Sequence, residues 1–328
     1  MDGPMNAFKS QSPFDPIQPL SQSRIKQVWT VGGGKGGIGK SMLSSSIAIT
    51  LARQGFKVVA VDLDLGGANL HTALSIDLPQ QTLNDFFSHR VDDLNSCSVP
   101  TAIPNLHIIS GAQDAIGVAD IAVDEKIRLL QKLRGIDADY LMLDLGAGTG
   151  NHTLDFFLFS DIQLVTLLPE PTSIENAYRF IKSAYFRRLR IAPDLAPIRG
   201  LIEKAMDSKN SEGIRSPSDL YRIVNREQPE MAMKLKKEIE RFQPKLIVNQ
   251  TRTQTDVDIG FSVKTVCKKY FGIDMEYVGY LDYDSSVWQS VRRKKPVLVE
   301  FPNSKMVSSI DRIVQQLLRR HGHLRSQP

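Results

Sequence analysis

Two cysteines in 328 residues, Cys97 and Cys267, cannot staple a small fold or complete a four-thiolate metal site within one chain. No run of about 18 apolar residues exists, which excludes a transmembrane helix. The opening residues lack a charged segment leading into an apolar core, so a secretory leader is not expected. With so few thiols, the composition points to a reducing cytoplasm. An excess of one charge is nearly absent: 41 Lys and Arg face 36 Asp and Glu, leaving +5. That balance permits weak attraction to nucleic acid or anionic lipid without marking a dedicated polyanion site. The histidines show no zinc-type spacing with acids or cysteines, and His321-Gly322-His323 falls in a terminal tail. At 41% hydrophobic and 23% charged, what is there is ordinary globular material with enough chain for a real core.

Residues 1–24 are rich in Pro, Ser and Gln and read as a flexible arm. From there to 328 the pattern is short apolar runs alternating with helix-period segments. Strands are expected at Gln27–Val31, Lys57–Val61, Leu106–Ser110, Tyr140–Leu143, Ile162–Leu168, Lys245–Val248 and Tyr277–Leu281. Several are nearly continuous Val, Ile and Leu, as strands covered on both faces must be. Helices are expected at Ser41–Gln54, Asp124–Arg134, Ser173–Leu189, Phe261–Tyr270 and Lys305–Arg320. Such alternation predicts an α/β fold: a doubly wound, mostly parallel sheet with helices on both faces. Between about 190 and 243 a longer stretch shows helical stripes, Leu195, Ile198, Leu201, Ile202 and Ala205, then Met231, Leu235, Ile239 and Phe242. Ser216-Pro217 suits a helix start. We read 25–328 as one domain carrying this stretch as a helical insertion.

The strongest signal follows the first strand. Gly34-Lys35-Gly36-Gly37-Ile38-Gly39-Lys40-Ser41 fits G-x-x-x-x-G-K-[ST] between a strand and a helix. Glycines let backbone N–H groups turn around phosphate oxygens, and the next helix aims its positive end at the same anion. Lys40 is expected on the β- and γ-phosphates, the Ser41 hydroxyl on Mg²⁺, and Met42 completes the binding segment. After the second strand, Asp62-Leu63-Asp64-Leu65-Gly66-Gly67-Ala68-Asn69 brings two carboxylates to the ligand-binding edge of such a sheet. Leu141-Met142-Leu143-Asp144 is an apolar strand delivering one more, a Walker-B arrangement, followed by Gly146-Ala147-Gly148.

With its second lysine, Lys35, the loop resembles the deviant Walker A of the MinD/ParA family of P-loop ATPases. What the resemblance implies is an ATP- and Mg²⁺-dependent switch that forms a homodimer with ATP. Lys35 would then reach the partner's nucleotide, and Asn69 would lie near it. Asp64 would orient the attacking water, so Asp64, Lys35 and Lys40 form the implied catalytic set. Ser41, Asp62 and Asp144 would serve the metal, the two aspartates through water. The late strand runs Leu246-Ile247-Val248-Asn249 without the acid of a guanine-reading box, which favours ATP. By the same resemblance Asn249 contacts adenine. Asp282 stands in the ribose/adenine loop where the family usually has proline.

Pro169-Glu170-Pro171-Thr172-Ser173-Ile174-Glu175, with Thr172 and Glu175 as a capping box, and Tyr277–Asp284 carry the likeness toward the FlhG/FleN branch. That branch regulates flagellar number and placement. It implies slow, partner-stimulated hydrolysis, action in the cytoplasm or peripherally at a membrane or pole, and a protein partner. The competing reading is a partition ATPase with ATP-dependent DNA contact through Arg187, Arg188, Arg190 and Arg292–Lys295. The stripe Val307, Ile310, Ile313, Val314, Leu317 and Leu318 is read as core packing rather than a membrane anchor. An iron–sulfur carrier and a nucleotide-binding scaffold without turnover are the remaining rivals.

Overall fold

The computed structural model describes residues 27–111, 121–207, 214 and 217–321. The strands are β1 Gln27–Gly32, β2 Val58–Leu63, β3 Ser98–Pro100, β4 Leu106–Ile109, β5 Tyr140–Leu145, β6 Ile162–Leu167, β7 Lys245–Thr251 and β8 Glu276–Asp282. They form one sheet in the order β3-β4-β2-β5-β1-β6-β7-β8, parallel throughout except where the short β3 pairs antiparallel with β4. Strands β2, β5 and β6 are buried along their whole length, which is why they read as apolar runs without alternation. All seven expected strands are present; β3, at three residues, was not anticipated.

Helices α1 Lys40–Arg53, α2 Leu70–Ala73, α3 Leu83–Phe87, α4 Val123–Leu133, α5 Asn151–Phe159 and α6 Pro171–Ile191 follow in chain order. Next come α7 Arg199–Met206, α8 Pro217–Glu227, α9 Pro229–Arg241, α10 Gln254–Val266, α11 Ser285–Arg292, α12 Val297–Glu300 and α13 Lys305–Arg320. One sheet face packs on α5 and α6 through Phe156, Phe157, Phe180 and Tyr185. The other packs on α1 and α13 through Trp29, Ile47, Ile310 and Leu317. The α13 stripe, Val307 to Leu318, is buried in that second core, so its apolar face is spent on packing. Among the described residues no helix is long and apolar enough to cross a membrane.

The stretch expected to be helical is so: α7, α8 and α9 with a 3₁₀ turn over Pro193–Ile198. Leu195, Ile198, Ile202, Ala205, Met231, Leu235 and Phe242 are buried, whereas Leu201 and Ile239 are half-buried. Pro217 heads α8, and Ser216, like the arm 1–24 and His323, lies outside the described residues. One boundary needs correction. The helix expected at Phe261–Tyr270 starts at Gln254, because Thr253 and Asp256 form a reciprocal capping box, and it ends in a π turn over Cys267–Phe271.

Candidate nucleotide site

Strand β1 ends in a loop whose backbone only glycine tolerates at several points. Gly37 and Gly39 lie in the left-handed region at φ 75° and 89°. A Cβ on Gly34 would collide with the backbone carbonyl of Asn176 on α6, so the loop lies flat against that helix. Around Gly36 and Gly37 the space is open, the room an anion needs. Helix α1 starts at Lys40 with no side-chain cap and no acid in its first turn, leaving its N-terminal N–H groups and dipole for a ligand. Lys40 is buried and donates from Nζ to the Lys35 carbonyl at 3.3 Å. Burial lowers its pKa, while the nearby charges of Asp144 and Asp64 raise it.

Register places Asp62 of β2 directly beside Asp144 of β5. Both are fully buried. Asp62 accepts from the backbone N–H of Asp64 at 3.1 Å and of Leu70 at 2.9 Å, so one carboxylate clamps both ends of the loop leading into α2. Asp144 Oδ1 accepts from Ser44 Oγ at 2.9 Å, and its Oδ2 has no hydrogen-bond partner. Burial first, and then the neighbouring Asp144 charge, pushes the Asp62 carboxyl up to about 8. Asp144 rises to about 6 by burial, held back by the Ser41 and Ser44 hydroxyls and by Lys40. Asp64 is half-exposed and close to the glycines after β5: a Cβ on Gly146 would stand 2.9 Å from its Oδ1. An orphaned buried carboxylate oxygen, a second carboxylate beside it and the Ser41 hydroxyl make an oxygen-rich, electron-rich set. That is the chemistry a hard divalent cation such as Mg²⁺ requires, and these residues fit it.

The remaining expected residues are distributed around this centre. Ser41, Met42 and Asn69 line one cavity of about 280 Å³ with Thr72, Val291 and Lys294. Asn69 is exposed at the start of α2, its side chain making no capping bond. Lys35 points along its own chain, with Nζ 3.4 Å from Thr172 Oγ1 and 3.8 Å from Glu170 Oε2. Thr172 and Glu175 do not form the expected capping box. Pro171 occupies the first helical position with Glu170 before it, which moves Thr172 inside the helix; Ser173 Oγ instead accepts from Leu168 N–H at 2.9 Å. Asp282 is half-buried at the end of β8. Asn249 is buried and turned toward the phosphate loop, its Nδ2 donating to the Ile38 carbonyl at 2.8 Å. Ser44 was missed, although it lies one turn after Lys40 on the same helix face and is equally buried.

Arg187 pairs with Asp155, Arg188 with Glu238 and Arg190 with Glu203; Arg293 and Lys295 share Glu300, and Arg292 lies over Trp288. Arg190, Arg293 and Lys295 stay about half exposed within these pairs. Cys97 and Cys267 are free and buried in separate elements, with burial raising both thiol pKa values.

The ParA family model, described as a NUBPL iron-transfer P-loop NTPase, matches residues 24–204. The chain belongs to the ParA family. It is 26% identical over 295 residues to the antiactivator FleN of Pseudomonas aeruginosa, covering 89% of this chain and 86% of FleN. The septum site-determining protein MinD of Helicobacter pylori is 32% identical over 161 residues, 47% of this chain and 57% of that relative. The flagellum site-determining protein YlxH of the same species is 29% identical over 184 residues, 56% and 60%. In fold, this ParA-family chain resembles MinD of Pyrococcus horikoshii complexed with Mg-ADP, at a TM-score of 0.62 and 19% identity over 90% of this chain and 97% of that one. A ParA family ATPase from Chlorobium tepidum gives 0.61 at 18% identity, covering 90% and 100%.

Proposed function

We propose that this chain is an Mg²⁺-dependent ATPase switch that dimerises with ATP and sets the position or number of a cellular structure, of the flagellar or division-site kind. One observation carries the reading. The carboxyl ends of β1, β2 and β5 gather the phosphate loop, Lys40, Asp62, Asp64 and Asp144 around a single centre. In this assignment the N–H groups of Gly34–Ser41 and Met42 surround the phosphates while the Lys40 ammonium spans the β- and γ-groups. Asp64 holds the water that attacks the γ-phosphorus, breaking its bond to the bridging oxygen and releasing ADP and phosphate. Ser41 and, through water, Asp62 and Asp144 would hold Mg²⁺, which would supply charge neutralisation on the phosphates. Asn69 and Lys35 face the second copy, and Asp282 flanks the nucleoside. The ATPase unit takes in 25–328, including the helical insertion at about 190–243, and a protein partner governs turnover in the cytoplasm or at its membrane face. The similarity to FleN, YlxH and MinD supports the cellular role.

The test is calorimetry of Lys40→Ala with Mg-ATP. Binding should fall at least about a hundredfold, the loss of a charge-assisted contact and its neighbouring cradle. Unchanged affinity in folded protein overturns the assignment.

A further inference from the structure

We infer that Asn249 positions the phosphate loop itself, so that it governs triphosphate affinity whatever base is attached. Strand β7 does not run straight to its end. Its pairing with β8 shifts between Val248 and Thr251, and Gln250 sits at φ 60°, a left-handed conformation rare for a side-chain-bearing residue. That irregularity aims Asn249 at the loop, where its Nδ2 donates to the Ile38 carbonyl at 2.8 Å across 211 residues of sequence.

A trans peptide points its carbonyl and the following N–H in opposite directions. Fixing the Ile38 carbonyl toward β7 therefore fixes the Gly39 N–H away from it. Ile38 is restrained at its other end too, since its Cδ1 would be 2.5 Å from a Cβ on Gly33. Gly39, at φ 89°, has no room for a side chain because Asn249 Nδ2 would stand 2.5 Å from its Cβ. Asn249 is 2% exposed and Ile38 1%, so water does not replace the amide donor when it is removed. An unsatisfied Ile38 carbonyl then favours rotation of the Ile38–Gly39 peptide, and the cradle is no longer preorganised.

This rests on the nucleotide site proposed above, and the experiment separates the two. Mg²⁺-bound ATP, GTP and inorganic tripolyphosphate are titrated into wild type, Asn249→Ala and Asn249→Leu, the last keeping the volume while removing the donor. Both variants should lose roughly ten- to a hundredfold in affinity for tripolyphosphate and by the same factor for ATP. Amide hydrogen exchange at Gly39 and Lys40 in the ligand-free variants should quicken while the β1 and β5 amides stay protected. A variant that keeps wild-type affinity for tripolyphosphate but weakens for ATP makes Asn249 a base reader only and overturns the inference. Wild-type protein binding neither ATP nor tripolyphosphate overturns the nucleotide site instead.

Discussion

A carboxylate with only one oxygen hydrogen-bonded is expensive in a dry strand end, and at Asp144 the expense appears as a raised pKa. Asp62 and Asp144 have carboxyl pKa values raised to about 8 and about 6 against ordinary values near 4. The folded protein thus binds these protons more tightly than the unfolded chain. Their contribution to stability is fully present in acid below about 4 and is lost as pH climbs through about 6 and 8. In the nucleotide-free protein, thermal melting should show Asp144→Asn gaining stability relative to wild type as pH rises across that range; parallel curves would refute it. Gly34→Ala belongs at the same scale. Its Cβ meets the backbone of α6 rather than a movable side chain, so Mg-ATP binding should fall beyond detection by calorimetry while the far-UV spectrum stays folded.

At the scale of elements, α4, α5 and α6 are joined by one buried charge cluster. Asp155 of α5, fully buried, accepts from Lys126 of α4 at 2.5 Å and from two nitrogens of Arg187 of α6 at 2.7 and 2.9 Å. Asp155→Ala strands Lys126, whose side chain is 5% exposed, and should cost about 3–5 kcal/mol in urea unfolding. A loss under about 1 kcal/mol would mean that water reaches the cluster. Legibility in sequence follows the reach of each interaction. The phosphate loop is eight consecutive residues and β5 an apolar run ending in Asp144, so both are visible without a fold. Helix α5 buries every residue from Leu154 to Phe159, Asp155 included, so no 3.6-residue period announced it. The first turns of α10 depended on a capping box at Thr253 and Asp256, while a similar spacing at Thr172 and Glu175 was void because Pro171 already opened α6. Asn249 was legible as a residue, but its contact with Ile38 required the bulge in β7 that no local pattern encodes.

For the whole molecule, the decisive quantity is the difference in ATP affinity between one copy and two. Lys35 rests on Thr172 and Glu170 of its own chain, and both Lys35 and Glu170 are substantially exposed, at 41% and 55%. Such an exposed contact is worth about 0–1 kcal/mol, so it does not bar Lys35 from a second chain's phosphates. Driving a population from 1:99 to 99:1 takes about 5.5 kcal/mol, which under the proposed function two shared triphosphates would supply and two diphosphates, lacking the γ-group, would not. Under the proposed function Asp64→Ala removes the group that would hold the water and leaves the residues of the phosphate loop unchanged. Light scattering after size exclusion should then give a dimer with Mg-ATP and a monomer with Mg-ADP. Adding Lys35→Ala to that variant should restore the monomer while calorimetry still detects ATP. If Asp64→Ala with Mg-ATP elutes as a monomer, nucleotide binding and assembly are separate properties of this chain, and the switch has to be sought within a single copy.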